Sequence, residues 1–170
     1  MKKLFAFSLL FMLLSCSPAL YNVSTSREIP TGLLYDKEVL VLTPGDGISS
    51  ESIAIGSGQK LASKVYYFLN AKQCEVTLDN QHKSINKVED SELQKYDYII
   101  VPSILSWEDN ATAWSGKPDR IVFSIDIFDK NKKKITTANI DSKSTNATFS
   151  SNDPAELIDK PLIEFLNKLF

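Results

Sequence analysis

Glu38-Val39-Leu40-Val41-Leu42-Thr43, closed by Pro44-Gly45-Asp46-Gly47, is the stretch that decides the fold. Four consecutive apolar residues leave this strand no polar face. Strands of that kind are covered on both sides, as in a parallel sheet between helices. The Pro and Gly residues end it in a loop. Downstream, Ser49 to Ala71 is expected to be a helix, with Leu61, Val65, Phe68 and Leu69 on one face and Ala54 and Ala62 nearby. Gly56 and Gly58 weaken its first half by roughly 1 kcal/mol each relative to Ala. Cys74 to Leu78 alternates and reads as an edge strand. Strand, helix and strand in this order form a right-handed parallel crossover.

Further along, Gln81 to Asp90 is a polar loop and Ser91 to Lys95 a single helical turn. Tyr98-Ile99-Ile100-Val101 is a second buried strand within Tyr96 to Leu105. Ile121, Phe123, Ile125 and Ile127 alternate with Val122, Ser124 and Asp126, the pattern of a half-covered strand. Asp129 to Lys133 is a charged turn. Lys134 to Asp141 returns as a weaker strand that Ser144 to Phe149 continues. Asp153-Pro154 opens the last helix as N-cap and first helical residue. Its apolar face is Leu157, Ile158, Leu162, Phe165, Leu166 and Leu169, with a kink or break expected at Pro161. The expected fold is one α/β (α+β) domain over residues 37–170. It has a mixed sheet of about five strands in the order 2-1-3-4-5 and two main helices packed on it.

The N-terminal side has a different character. Lys2 and Lys3 precede an apolar run of eleven residues, Leu4 to Leu14, broken only by Ser8. A bilayer span needs about 20 residues, so this run is a secretory h-region instead. Leu13-Leu14-Ser15-Cys16 resembles the lipobox of bacterial lipoproteins, which implies cleavage after residue 15 and a diacylglycerol on Cys16. Ser17, where Asp would retain such a protein in the inner membrane, points to the outer membrane by the same resemblance. Residues 16–36 are read as the lipidated Cys and a flexible tether.

Cleavage removes Lys2 and Lys3 from the 19 basic residues and leaves all 21 acidic ones, a formal charge of −4. Nothing there suits a nucleic-acid partner, which needs a basic face. With Cys16 acylated, Cys74 has no partner in the chain and reads as a small buried hydrophobe. His82 and Cys74 are too few for a zinc site, and one His supports no Ser/His/Asp arrangement. No metal and no cofactor is expected. Gly45-Asp46-Gly47 and Gly56-Ser57-Gly58 match neither phosphate-loop spacing and read as turn glycines. Lys130, Lys132, Lys133 and Lys134 form a basic tip, read as a solvated turn against the alternative of contact with anionic headgroups or cell-wall polymers.

Trp107 to Arg120 is long for a connection between neighbouring strands and holds both tryptophans. Loops on a rigid scaffold concentrate binding residues. The run W-E-D-x-A-T-x-W-S-G-K-P-D-R resembles the signature of a family of uncharacterised bacterial lipoproteins catalogued as a domain of unknown function. The similarity extends over the V-L-V-L-T-P strand, this loop, the following strand with its acidic turn, and the C-terminal helix. That family commonly has Arg where this chain has Asn110, so no Arg-dependent site follows from the resemblance.

Two readings of the loop compete. In one, the tryptophans cap the sheet while Asp109, Asp119 and Arg120 satisfy loop groups. In the other, Trp107, Glu108, Asp109, Trp114, Asp119 and Arg120 form a partner-binding surface with a tryptophan as anchor. The functional expectation is a non-enzymatic binding, structural or assembly factor, lipid-anchored in the cell envelope and meeting an envelope protein or cell-wall partner. The alternative is an envelope enzyme acting on a cell-wall polymer through Glu108, Asp109 or Asp119.

Overall fold

A computed structural model describes residues 19–49, 52–110, 116–145 and 153–170. Residues 1–18, with the expected signal segment and Cys16, lie outside the described residues, as does Trp114. Strand β2 (Glu38–Leu42) buries all four of its apolar side chains completely. Val39 and Val41 pack in the layer of the long helices, and Leu40 and Leu42 pack on the other side against Ile85, Val88 and Leu93. Both faces are covered, which is why neither is polar.

Among the described residues the main sheet has six strands, in the order β1 (Leu20–Thr25), β8 (Lys134–Lys143), β7 (Arg120–Asp129), β6 (Tyr98–Glu108), β2 and β5 (Glu75–Asp79). β2 is parallel to β5 and β6, and every other pairing is antiparallel. The five strands read from the sequence stand in the expected 2-1-3-4-5 order. The sixth corrects the tether reading. Leu20 to Thr25 pair residue by residue with Lys143 to Ala138 on the outer edge of β8. Only Val23 of this strand is partly buried and packed on the core, so its sequence carries almost no apolar alternation. Backbone pairing to an open edge holds it.

The first helix also departs from expectation. Ile53 and Ala54 do not belong to it but form a strand, β4 (Ile53–Ala54), that pairs with β3 (Gly47–Ile48). The helix proper is α1 (Ser57–Ala71). Gly56 precedes it at φ +82°, a left-handed conformation that stops helix propagation toward Ser49. Gly58 must be glycine for a different reason, since a Cβ there would lie 2.3 Å from the Pro44 carbonyl oxygen. Asp46 completes the junction. Its Oδ1 accepts from the Gly58 N–H at 3.0 Å, satisfying a donor that the first turn leaves free.

After α1 and β5, a 3-10 turn (Ile85–Lys87) and a short helix, α2 (Asp90–Leu93), precede β6. At the C-terminus, Asp153 caps a 3-10 turn (Pro154–Leu157) by accepting from Ala155 N–H at 2.9 Å. The chain resets before Pro161, which then falls in the first turn of α3 (Asp159–Asn167), where a missing N–H is tolerated. α1 and α3 cover one face of the sheet, burying Leu61, Val65, Leu69, Leu162, Phe165 and Leu166 against the inward side chains of β7. Each such side chain contributes roughly 1.5–3 kcal/mol. Among the described residues, no helix is long and apolar enough to cross a membrane.

A candidate binding cleft at the carboxyl end of the sheet

β6 pairs with β2 only over Tyr98 to Ile100, then runs on with β7 to Glu108. A bulge shifts its register between Ile104, opposite Phe123, and Ser106, opposite Val122. The extra residue, Leu105, is exposed. The bulge carries Trp107 to the helix-facing side, opposite Ile121, where it is 4% exposed and part of the main core. Gly47 fits against it so closely that a Cβ would come within 2.8 Å of the Trp107 Cβ. The Gly47 N–H donates to Ser57 Oγ at 2.8 Å, tying the hairpin to the start of α1.

The overhanging half of β6 and the β3–β4 hairpin enclose a cleft of about 920 Å³. Ile48, Ser52 and Ile53 line one side; Ser106, Glu108 and Asp109 line the other, with Lys117 beside them. From β2 the chain passes through α1 to β5 on one side, and from β5 it crosses back over β2 to β6 on the other side. The cleft therefore sits outside the carboxyl ends of parallel strands at the point where strand order reverses. That is the usual ligand position in open α/β sheets. The sequence does not reveal the hairpin half, because Ile53 and Ile55 fall inside the expected Ser49–Ala71 helix and Ile48 in the loop before it.

The singled-out loop residues that are described play different parts. Trp107 belongs to the core and borders the cleft. Asp119 is 1% exposed, and its Oδ1 accepts from the Asn110 N–H at 2.7 Å. Asn110 Nδ2 donates to the Pro118 carbonyl at 2.8 Å, and the Asp119 N–H to Ser144 Oγ at 2.9 Å. Asn110 thus helps to clamp the base of the loop. Arg120 lies on the sheet face opposite α1 and α3 and engages Asp141 on β8, with Glu108 3.8 Å away. Glu108 and Asp109 reach the cleft.

His82 is occupied as well, its Nδ1 2.7 Å from Asp79 Oδ2. Burial raises the Asp79 carboxyl, but hydrogen bonds from the His82 ring and from the Gln81 and His82 N–H groups outweigh it, and the carboxyl is held below its ordinary range. Among the described residues, no group of three or more His, Cys, Asp or Glu side chains could hold a metal ion.

A family model described as a domain of unknown function (DUF4823) matches residues 32–169. The chain belongs to that family. β1 lies outside the matched DUF4823 region. No curated protein matches the chain. Among solved structures, a dodecamer of a PelC variant from Paraburkholderia phytofirmans is similar at 12% identity and TM-score 0.64, covering 87% of this chain and 98% of that one. A second PelC dodecamer from the same organism aligns at 14% identity and TM-score 0.60, over 85% and 96% of the two chains. Protein XCC0632 from Xanthomonas campestris, carrying a DUF330 family model, aligns at 10% identity and TM-score 0.51, over 84% and 87%. At these identities the likeness is one of fold.

Proposed function

We propose that this DUF4823 chain is an envelope lipoprotein, acylated on Cys16 after loss of residues 1–15 and sorted to the outer membrane. In this reading its domain binds another envelope component in the cleft without transforming it. The observation that carries the binding role is the cleft itself, placed at the strand-order reversal and edged by exposed isoleucines and two carboxylates. Paired-acid catalysis fits less well, because it needs two acids held across a substrate. Glu108 and Asp109 are consecutive on one lip, and Asp119 is buried in the loop clamp. The PelC structures are dodecamers, so this fold is compatible with a role in assembly.

A photo-crosslinking residue at Ile53, compared in intact cells with one at Lys133 on the far turn, tests the binding site. A discrete adduct from Ile53 alone is expected; identical adducts from both positions would discard the cleft. Cys16→Ser tests the anchor, since the protein should then leave the membrane fraction.

A further inference from the structure

The chain enters the sheet at the end that carries the cleft. Leu20, first residue of β1, stands opposite Lys143 of β8; Lys143 stands opposite Arg120 of β7, and Arg120 opposite Glu108 of β6. One row of residues thus runs from the start of β1 to the lip of the cleft. Cys16 is four residues before Leu20. An extended chain advances at most about 3.6 Å per residue, so Cys16 lies within about 14 Å of that corner. A free segment up to residue 36 would have reached about 70 Å.

The same end exposes aliphatic side chains. Leu20 is 54% exposed, Ile48 73%, Ile53 61% and Ile55 89%. The opposite end carries the β7–β8 turn with Lys130, Lys132 and Lys133, and the starts of β2 and β6 beside Asp36, Lys37 and Asp97.

Resting on the Cys16 anchor proposed above, we infer that the acylated domain lies directly on the bilayer. The carboxyl end of its sheet faces the lipid, Leu20, Ile48, Ile53 and Ile55 enter the headgroup region, and the lysine turn points away. The short leash makes this second contact intramolecular, so four exposed aliphatic groups suffice to populate it. The cleft then opens at the membrane surface and meets components held there. The headgroup alternative for the lysine turn loses its geometry, because the anchor is at the other end of the molecule.

The test uses the mature acylated chain in vesicles of phosphatidylethanolamine and phosphatidylglycerol carrying a doxyl-lipid quencher. A single fluorophore is placed through Ile53→Cys or Asn131→Cys; Cys74 is buried and stays unlabelled. The Ile53 probe should be quenched several-fold more strongly than the Asn131 probe. Ile48→Ser with Ile55→Ser should reduce that contrast, and both sites are exposed, so folding is retained. Equal quenching, or stronger quenching at Asn131, overturns the orientation. Acyl mass on Cys16 and vesicle flotation are read on the same samples. Flotation without contrast refutes the orientation alone, whereas missing acyl mass and flotation refute the anchor and the orientation with it.

Discussion

Arg120 grips both carboxylate oxygens of Asp141 from the neighbouring strand, Nε at 2.9 Å from one and Nη2 at 2.7 Å from the other. This fork ties β7 to β8 on the sheet face opposite α1 and α3. Hydrogen bonding from Arg120 holds the Asp141 carboxyl below its ordinary range, against partial burial, with the charges of Arg120 and Lys143 adding to the effect. Asp153 is lowered in the same direction, first by its hydrogen bond from Lys60 at 2.7 Å, and then, against burial, by the Ala155 N–H and the charges of Lys60 and Lys64.

These carboxyls, with Asp79, set the acid limit of the fold. A group whose pKa is lower when folded stabilises the protein above its unfolded value, and that contribution disappears as pH falls through the folded value. The unfolded value for Asp is about 3.9. Stability is therefore expected to be flat from neutral pH down to about pH 5 and to fall below about pH 4. The Asp141 and Asp153 pairs are about half exposed, so each contributes only about 0.2–1 kcal/mol. Urea midpoints against pH check this. Asp141→Asn should flatten part of the acid slope, and a slope unchanged in Asp141→Asn would remove that residue from the account.

Gly58→Ala should destabilise although it lies in a helix, where Ala is favoured over Gly by about 1 kcal/mol. The new Cβ would meet the Pro44 carbonyl oxygen at 2.3 Å. Relieving that clash moves α1 off the β2 loop or breaks the Asp46 bond to the Gly58 N–H. A net loss of about 1–3 kcal/mol is expected, in the range of overpacking. Thermal melting decides the sign, and a raised Tm would mean that the loop yields freely.

Gly58 also shows where the sequence was readable and where it was not. The uninterrupted Val39–Leu42 run and the alternation of Ile121 to Ile127 carry their burial in their composition, and the strand order followed from them. The β3–β4 hairpin did not, because Ile53, Ala54, Leu61 and Ala62 fit a helical face equally well and the left-handed turn at Gly56 leaves no periodic mark. β1 was hidden because an edge strand with one half-buried side chain has no alternation to detect. In the loop, the sequence left two readings open for Trp107 and Asp119, and residue type could not choose between them. A one-residue bulge and a backbone clamp, both tertiary features, pack Trp107 on the sheet and set Asp119 against loop backbone.

Cys74 should react slowly in the native protein. Its thiol is buried, donates to the Leu34 carbonyl oxygen at 3.3 Å, and is pushed above its ordinary pKa by burial, with the charge of Asp36 adding to the shift. Both effects lower the thiolate fraction that attacks electrophiles. Mass-spectrometric counting of iodoacetamide adducts on the Cys74 peptide should show rapid labelling in urea and little without it. Cys74→Ala should cost no more than about 1–2 kcal/mol, the transfer of a small apolar group and one weak hydrogen bond. Rapid native labelling would indicate that the loop around Leu34 opens.

Asp119 separates the clamp from the cleft. Asp119→Ala leaves the Asn110 N–H without its carboxylate acceptor in a part-buried position, and the expected cost is about 1–3 kcal/mol. Asp119→Asn keeps an oxygen in place and should lose less than half as much. Glu108→Gln, on the cleft lip and half exposed, should change stability by less than about 0.5 kcal/mol. The ordering Asp119→Ala, then Asp119→Asn, then Glu108→Gln in denaturant midpoints, with the reverse ordering in loss of the Ile53 crosslink per folded molecule, assigns Asp119 to holding the loop and Glu108 to meeting the ligand. If Asp119→Asn abolished the crosslink in a fully stable protein, the buried carboxylate would have to take part in binding, and the clamp would be only half of its role.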